Sequence, residues 1–201
     1  MRILNLLYKI FLFSFLSIII IIIGLYSYSY FSPKLQLNSY HTYELYDIDE
    51  NVFYEGNKNN RWTNINKISQ NLKDAVVSVE DKNFYVHNGF DYLRIIKAMF
   101  NNLKSNKIVE GGSTISQQYI KNAYLDFDKT WDRKIKEALM TLNLEVHYDK
   151  DEILEAYLNT INFGLGNYGI TEASAYYFNK KPNNVHSCLF VCTVCKRDLH
   201  Q

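Results

Sequence analysis

Residues 111–125 read GGSTISQQYIKNAYL, a pair of glycines followed by two hydroxyl residues and then an unbroken helix-forming run. Glycines permit a turn that other residues resist, and Ser113 or Thr114 then caps the free amides of a helix over Ile115 to Tyr124. The same rhythm extends on both sides of this stretch. Upstream, Ile68, Leu72, Ala75, Val76 and Val79 share one face of a helix. Tyr92, Ile95, Ile96, Met99 and Leu103 share the face of another, which Asp91 can cap. Downstream, helices are expected from about Thr130 to His147 and from about Lys150 to Asn162, the second with Ile153, Leu154, Tyr157 and Leu158 at helical spacing. Gly164, Gly166 and Gly169 punctuate the chain before a last helix. This periodicity predicts an all-α domain over residues 66–184.

Between Lys9 and Lys34 lie 24 uncharged residues, enough to span the hydrocarbon core of a bilayer as one helix. The apolar run is too long for a cleaved signal peptide, and no small-x-small site follows it clearly. The expected order is a cytoplasmic N-terminus over 1–9, a transmembrane anchor over 10–33 and a connector over 34–65. Arg2 and Lys9 place the N-terminus inside. Tyr26, Tyr28, Tyr30 and Phe31 fall where an interfacial aromatic belt belongs, so residues from 34 onward lie outside the cytoplasm. The connector mixes Tyr and Asn with short alternations such as Tyr43 to Ile48, which suits extended chain. A length of 201 residues leaves room for one anchor and one soluble domain. Lys and Arg number 22 against 21 Asp and Glu, so no bulk charge points to nucleic acid. With 17 Tyr, 12 Phe and only 2 Pro, the composition suits a packed core rather than a disordered chain.

Residues 79–91, VEDKNFYVHNGFD, set two carboxylates at the end of an apolar helix ahead of an aromatic, a histidine and a glycine turn. Taken alone, Glu80 and Asp81 read as solvated charges. Their setting changes that reading. GGSTISQQYIKNAYL, RKIKEALMTLNLE, KDEILEAYLNTINFG and YGITEASAYYFNK follow in order. Together the five stretches, over about residues 66–182, resemble the motifs of the glycosyltransferase module of bifunctional penicillin-binding proteins and of monofunctional peptidoglycan transglycosylases. No transpeptidase domain follows, so the monofunctional type is the closer match.

The resemblance implies a lysozyme-like helical lobe with a smaller membrane-proximal jaw. It implies that lipid II is polymerised into β-1,4-linked glycan strands by inverting transfer, with release of polyprenyl pyrophosphate. Such chemistry needs a base for the attacking hydroxyl and fixed positive charge for the leaving group. By motif match, Glu80 is the base. Glu137 positions the pyrophosphate region, directly or through a divalent ion, magnesium or manganese, the one cofactor the resemblance admits. Lys121, Arg133, Lys134 and Lys136 are the candidate cations, although on their own they read equally as a solvated basic face. The N-terminal amides of the helix that begins near Ser113 can also meet phosphate. Gln117 and Gln118 line the sugar cleft, Ser113 and Thr114 shape its entrance, and Asp81, Phe84 and His87 complete the substrate-binding set. Glu155 and Asn159 read as structural, because their helix carries a strong apolar stripe. His87 lacks a second ligand at i+3 or i+4, so no metal site is assigned to it. One departure is Lys129, where several relatives carry an arginine, which holds phosphate more directionally. Implied partners are lipid II, the growing lipid-linked glycan, the cytoplasmic membrane, and transpeptidases or other proteins of wall synthesis.

Residues 185–201, VHSCLFVCTVCKRDLHQ, hold all three cysteines of the chain. Relatives continue here with a Leu- and Ala-rich helix and a Pro-containing loop. The C-terminal part of the domain is therefore expected to be truncated or divergent. His186, Cys188, Cys192 and Cys195 offer four zinc-ligand types, but their spacing matches no familiar finger and no metal site is claimed. Two alternatives to polymerisation follow: a truncated, inactive, membrane-anchored binding module, and a lysozyme-like hydrolase, against which the clustered cations argue.

Overall fold

The uncharged N-terminal run forms one continuous helix, α1 (Arg2–Phe31), in the computed structural model. The structure describes residues 2–37, 44–48, 52–55, 62–105, 107, 111–125 and 130–185. The most apolar 18-residue stretch within Leu4–Phe31 of α1 has a mean hydropathy of 2.7, and large apolar side chains such as Phe13 and Ile20 point outward along the helix. Its 28 residues make about 42 Å of helix, more than a hydrocarbon core of about 30 Å requires. The helix is thus long and apolar enough to cross a membrane.

The connector differs from a plain extended segment. Strands β1 (Glu44–Tyr46) and β2 (Val52–Glu55) pair antiparallel, with Leu45 opposite Tyr54 and a register shift between Leu45 and Tyr46. Beyond a 3₁₀ turn over Ile65–Lys67, five helices build the lobe: α2 (Gln70–Glu80), α3 (Tyr92–Ser105), α4 (Ile115–Tyr124), α5 (Trp131–His147) and α6 (Lys150–Thr160). A sixth, α7 (Ile170–Phe178), and a 3₁₀ turn over Pro182–Asn184 follow. Helix α6 stops two residues short of the expected Asn162, where Asn162 instead bridges to Tyr168. The described residues after the strands are mainly helical, as the periodicity predicts.

Local chemistry fixes the helix starts. Ser69 caps α2, Thr130 caps α5, and Asp149 forms a reciprocal capping box with Glu152 at α6. Helix α4 packs against both α5 and α6 and supplies the centre of the core. Ile115, Tyr119 and Ile120 are buried there against Leu72, Val76, Leu144, Ile153, Leu158 and Ile170. Because α4 also carries the two glutamines, a helix of the core holds candidate functional side chains.

Helix α3 behaves otherwise. Its residues share one apolar face as the rhythm predicts, yet only Ala98 among them is buried, while Leu93 is 80% and Phe100 65% exposed. Tyr92, Ile96, Met99 and Leu103 are exposed as well. Periodicity identifies an apolar face but not what covers it. His186, Cys188, Cys192, Cys195 and Lys129 lie outside the described residues. The last described residue, Val185, is buried, and its carbonyl accepts from the Ser69 hydroxyl at 2.8 Å, tying this segment to the start of α2.

Candidate active site

Glu80 is the last residue of α2, and the helix ends there because the next backbone leaves helical geometry at Asp81. Its side chain is 7% exposed, and Gln118 Nε2 donates to its Oε2 at 2.9 Å. Tyr157 of α6 donates its hydroxyl to Gln118 Oε1 at 3.2 Å, which fixes the amide's orientation. The Glu80 carbonyl accepts from the Arg94 guanidinium. A carboxylate at a helix C-terminus faces the negative end of the helix dipole, so these donors offset an unfavourable position.

The next residue, Asp81, is fully buried. Its Oδ2 accepts from the Ile115 backbone N–H at 3.0 Å and pairs with His87 Nε2 at 2.9 Å, and Arg94 Nη1 stands 3.9 Å from Oδ1. Asp81 thereby joins the turn after α2 to the start of α4, the element that carries Gln118. Phe84 is likewise fully buried, edge-on to His87, with Lys150 Nζ 4.6 Å from its ring centre. Expected among the substrate-binding residues, Asp81 and Phe84 have no exposed surface to offer a substrate. The His87 side chain is 9% exposed, and its buried Nδ1 has no hydrogen-bond partner.

Gly89 closes the same turn with φ of 87°, and a Cβ there would come within 3.0 Å of Thr141 Cγ2, so both conformation and space require glycine. Its carbonyl accepts from the Thr114 hydroxyl at 2.7 Å. Thr114, not Ser113, is the cap of α4, and Gln117 completes a capping box with it. Thr114 and Gln117 are therefore buried as structural partners, although Gln117 also reaches a neighbouring groove. Ser113, Gln117 and Lys134 line this groove of about 630 Å³ together with Ile95, Met99 and Leu103 of α3. Lys121, exposed on α4, stands one turn beyond Gln118.

On α5, Glu137 is 1% exposed and holds two cations: Arg133 Nη1 at 3.1 Å from Oε2, and Lys134 Nζ on Oε1. The i−4 and i−3 spacing on one helix makes this cluster. The Arg133 Nε is buried without a partner, while Lys136 is exposed. Glu137 offers a divalent ion one carboxylate that two cations already neutralise. Magnesium and manganese favour several oxygen ligands, and the described residues contain no cluster of three His, Cys, Asp or Glu that could hold a metal ion. Substrate phosphates would have to supply the remaining oxygens of such an ion.

Glu155 and Asn159 do structural work. Glu155 accepts from Trp62 Nε1 at 2.5 Å and from the Ile65 N–H at 2.6 Å. Asn159 accepts from the Thr63 N–H at 2.7 Å and donates to the Thr63 carbonyl at 2.9 Å. Sequence reading does not single out Arg94 and places Tyr157 only on an apolar helix face, yet both orient the Glu80 surroundings. A partly buried cluster joins Ser116, Glu145 and Lys150, with Lys150 Nζ 2.7 Å from Glu145 Oε2. In the sequence these are ordinary residues of amphipathic helices, and only packing makes them neighbours.

Comparison with known proteins identifies the family of the chain. The transglycosylase family model matches residues 49–191. Penicillin-binding protein 2D of Bacillus subtilis is 50% identical over 124 residues, which cover 62% of this chain and 18% of that protein. Penicillin-binding protein 4 of the same organism is 39% identical over 166 residues, 80% of this chain and 26% of the relative. The biosynthetic peptidoglycan transglycosylase of Chromobacterium violaceum is 47% identical over 133 residues, 66% of this chain and 58% of the relative. The chain thus spans less than two thirds of the length of each of these relatives. A family match over more than half the chain, on the residues that build the buried carboxylate site, means that this chain belongs to the transglycosylase family.

Proposed function

We propose that this chain is a peptidoglycan glycosyltransferase that polymerises lipid II into β-1,4-linked glycan strands with inversion and release of polyprenyl pyrophosphate. The observation that carries the reading is the Glu80 carboxylate, nearly buried and oriented by a Gln118 amide that Tyr157 holds in turn. In the proposed reaction the acceptor's 4-hydroxyl oxygen attacks the donor's anomeric carbon, and its proton passes to Glu80. The bond from that carbon to the pyrophosphate oxygen breaks, and the electron pair leaves with the pyrophosphate. Growing negative charge there is met by Arg133 and Lys134, held in place by Glu137, with Lys121 and Lys136 as exposed cations. Asp81 and His87 act as positioning residues, and Ser113 and Gln117 face the sugars from the groove.

Membrane geometry supports a lipid-linked substrate. In this reading α1 is a single span with its N-terminus inside, and the exposed apolar face of α3 lies toward the outer leaflet, close to the substrate's pyrophosphate. The test is gel-resolved polymerisation of labelled lipid II by the purified full chain in detergent, beside Glu80→Gln. Polymer is expected from the parent, with at least about 100-fold less from the variant. Equal polymer from both would remove Glu80 from the mechanism. A folded parent that binds lipid II without extending it would favour a binding module.

A further inference from the structure

Apart from the groove beside Gln117, a second hollow of about 350 Å³ opens between the end of α2 and the start of α3. Lys82, Arg94 and Lys97 line it, with Asp91, Asn83 and Leu93. The one carboxylate is already engaged, because Asp91 accepts from the Arg94 N–H at 2.9 Å and from Asn83 Nδ2 at 2.8 Å. Arg94 is shared with the Glu80 carbonyl and Asp81. Lys82 and Lys97 are exposed and have no ion-pair partner among the described residues. The hollow therefore carries excess positive charge with two ammonium groups available to a ligand.

Its surroundings identify the ligand class. At about 100° per residue, Leu93, Ile96, Phe100 and Leu103 form one stripe opposite the buried Ala98, and Lys97 and Lys104 run along the stripe's edge. An exposed apolar stripe edged by lysines is the pattern of a helix lying in a membrane interface. Asn143 of α5 donates to the Ser29 and Pro33 carbonyls at the end of α1, so the lobe that carries α3 is joined to the apolar helix where the bilayer surface would be. Leu93 belongs to both the stripe and the hollow. A ligand that occupies both needs an anionic head and an apolar tail.

We propose that the hollow formed by Lys82, Arg94 and Lys97 binds the phosphate headgroup of an anionic phospholipid of the outer leaflet, whose acyl chains run along Leu93, Ile96 and Phe100. This site is distinct from the Glu80 and Glu137 cluster and does not depend on the polymerase reading. Headgroup binding would fix the tilt of α3 and hence of the adjoining groove relative to the bilayer.

The test uses the full chain in nanodiscs of phosphatidylcholine alone or mixed with phosphatidylglycerol, with amine labelling read by mass spectrometry. Phosphatidylglycerol is expected to slow labelling of Lys82 and Lys97 about fivefold, with less effect on Lys104. Lys67, at the opposite end of α2, should not change. A photoactivatable phosphatidylglycerol should cross-link to residues 79–97 and lose that cross-link in Lys82→Gln/Lys97→Gln of unchanged circular dichroism. Three results would overturn the proposal: labelling insensitive to phosphatidylglycerol, equal protection of Lys104, which indicates diffuse surface charge, or equal protection by inorganic phosphate in phosphatidylcholine discs, which indicates a soluble-anion site.

Discussion

Asp91 illustrates how much one short side chain can fix. It caps α3 through the Arg94 N–H, holds Asn83 across the turn, and closes the wall of the basic hollow. The Arg94 amide and then the Asn83 amide hold its carboxyl below the ordinary carboxylate range. A lowered folded-state pKa stabilises the protein above the unfolded value near 4, and that contribution disappears as pH falls through the folded value. Asparagine is a comparable helix cap but carries no charge. Asp91→Asn is therefore expected to be about 1 kcal/mol less stable than the parent at neutral pH and nearly equal to it in strong acid, as measured by denaturant unfolding at both pH values. The capping role of Asp91 was legible in the sequence, since an aspartate before an apolar helical run is a local signal. The cap of α4 was legible only to within a pair, because Ser113 and Thr114 are chemically equivalent there. The Gly89 carbonyl, 25 residues away, selects Thr114.

Helix α6 shows function shared between two faces of one element. Its apolar side fills the core with Ile153, Leu154 and Leu158, and Tyr157 reaches Gln118. Its polar side, Glu155 and Asn159 at i and i+4, binds the backbone of residues 63–65 much as a neighbouring strand would. Those bonds join the connector to the lobe. Glu155→Ala should cost about 2 kcal/mol and raise proteolysis within residues 62–65, with little change in helical circular dichroism. Global unfolding in that variant would show that the connector folds together with the core. Helix α3 teaches the opposite lesson. Its rhythm was as clear as that of α2, yet α2 buries Leu72 and Val76 while α3 leaves Leu93 and Phe100 exposed. Both patterns state that an apolar phase borders the helix. Neither states whether that phase is protein or lipid.

For the molecule as a whole, the junction between anchor and lobe matters most. Asn143 of α5 donates to the Ser29 and Pro33 carbonyls, each at 3.2 Å, and accepts from the Leu35 N–H at 3.3 Å. Tyr148 bonds the Leu35 carbonyl, Lys34 sits 3.8 Å above the Tyr148 ring, and Tyr30 stacks on His147. These contacts gather the end of α1 onto the same helix that holds Glu137. Asn143→Ala should broaden spin-label distances between α1 and α6 in nanodiscs and lower stability by about 1–2 kcal/mol. Unchanged distance distributions would show that the aromatic contacts suffice.

The sequence by itself determined the helical lobe, the apolar anchor and the identity of the motif residues. These follow from period, composition and local capping, which act over a few residues. Tertiary structure alone decided that Asp81 and Phe84 are buried, that Arg94 and Tyr157 orient the site, and that α3 keeps its apolar face outside. Each of these depends on which distant surfaces exclude water from one another, and that contact between remote segments has no local signature.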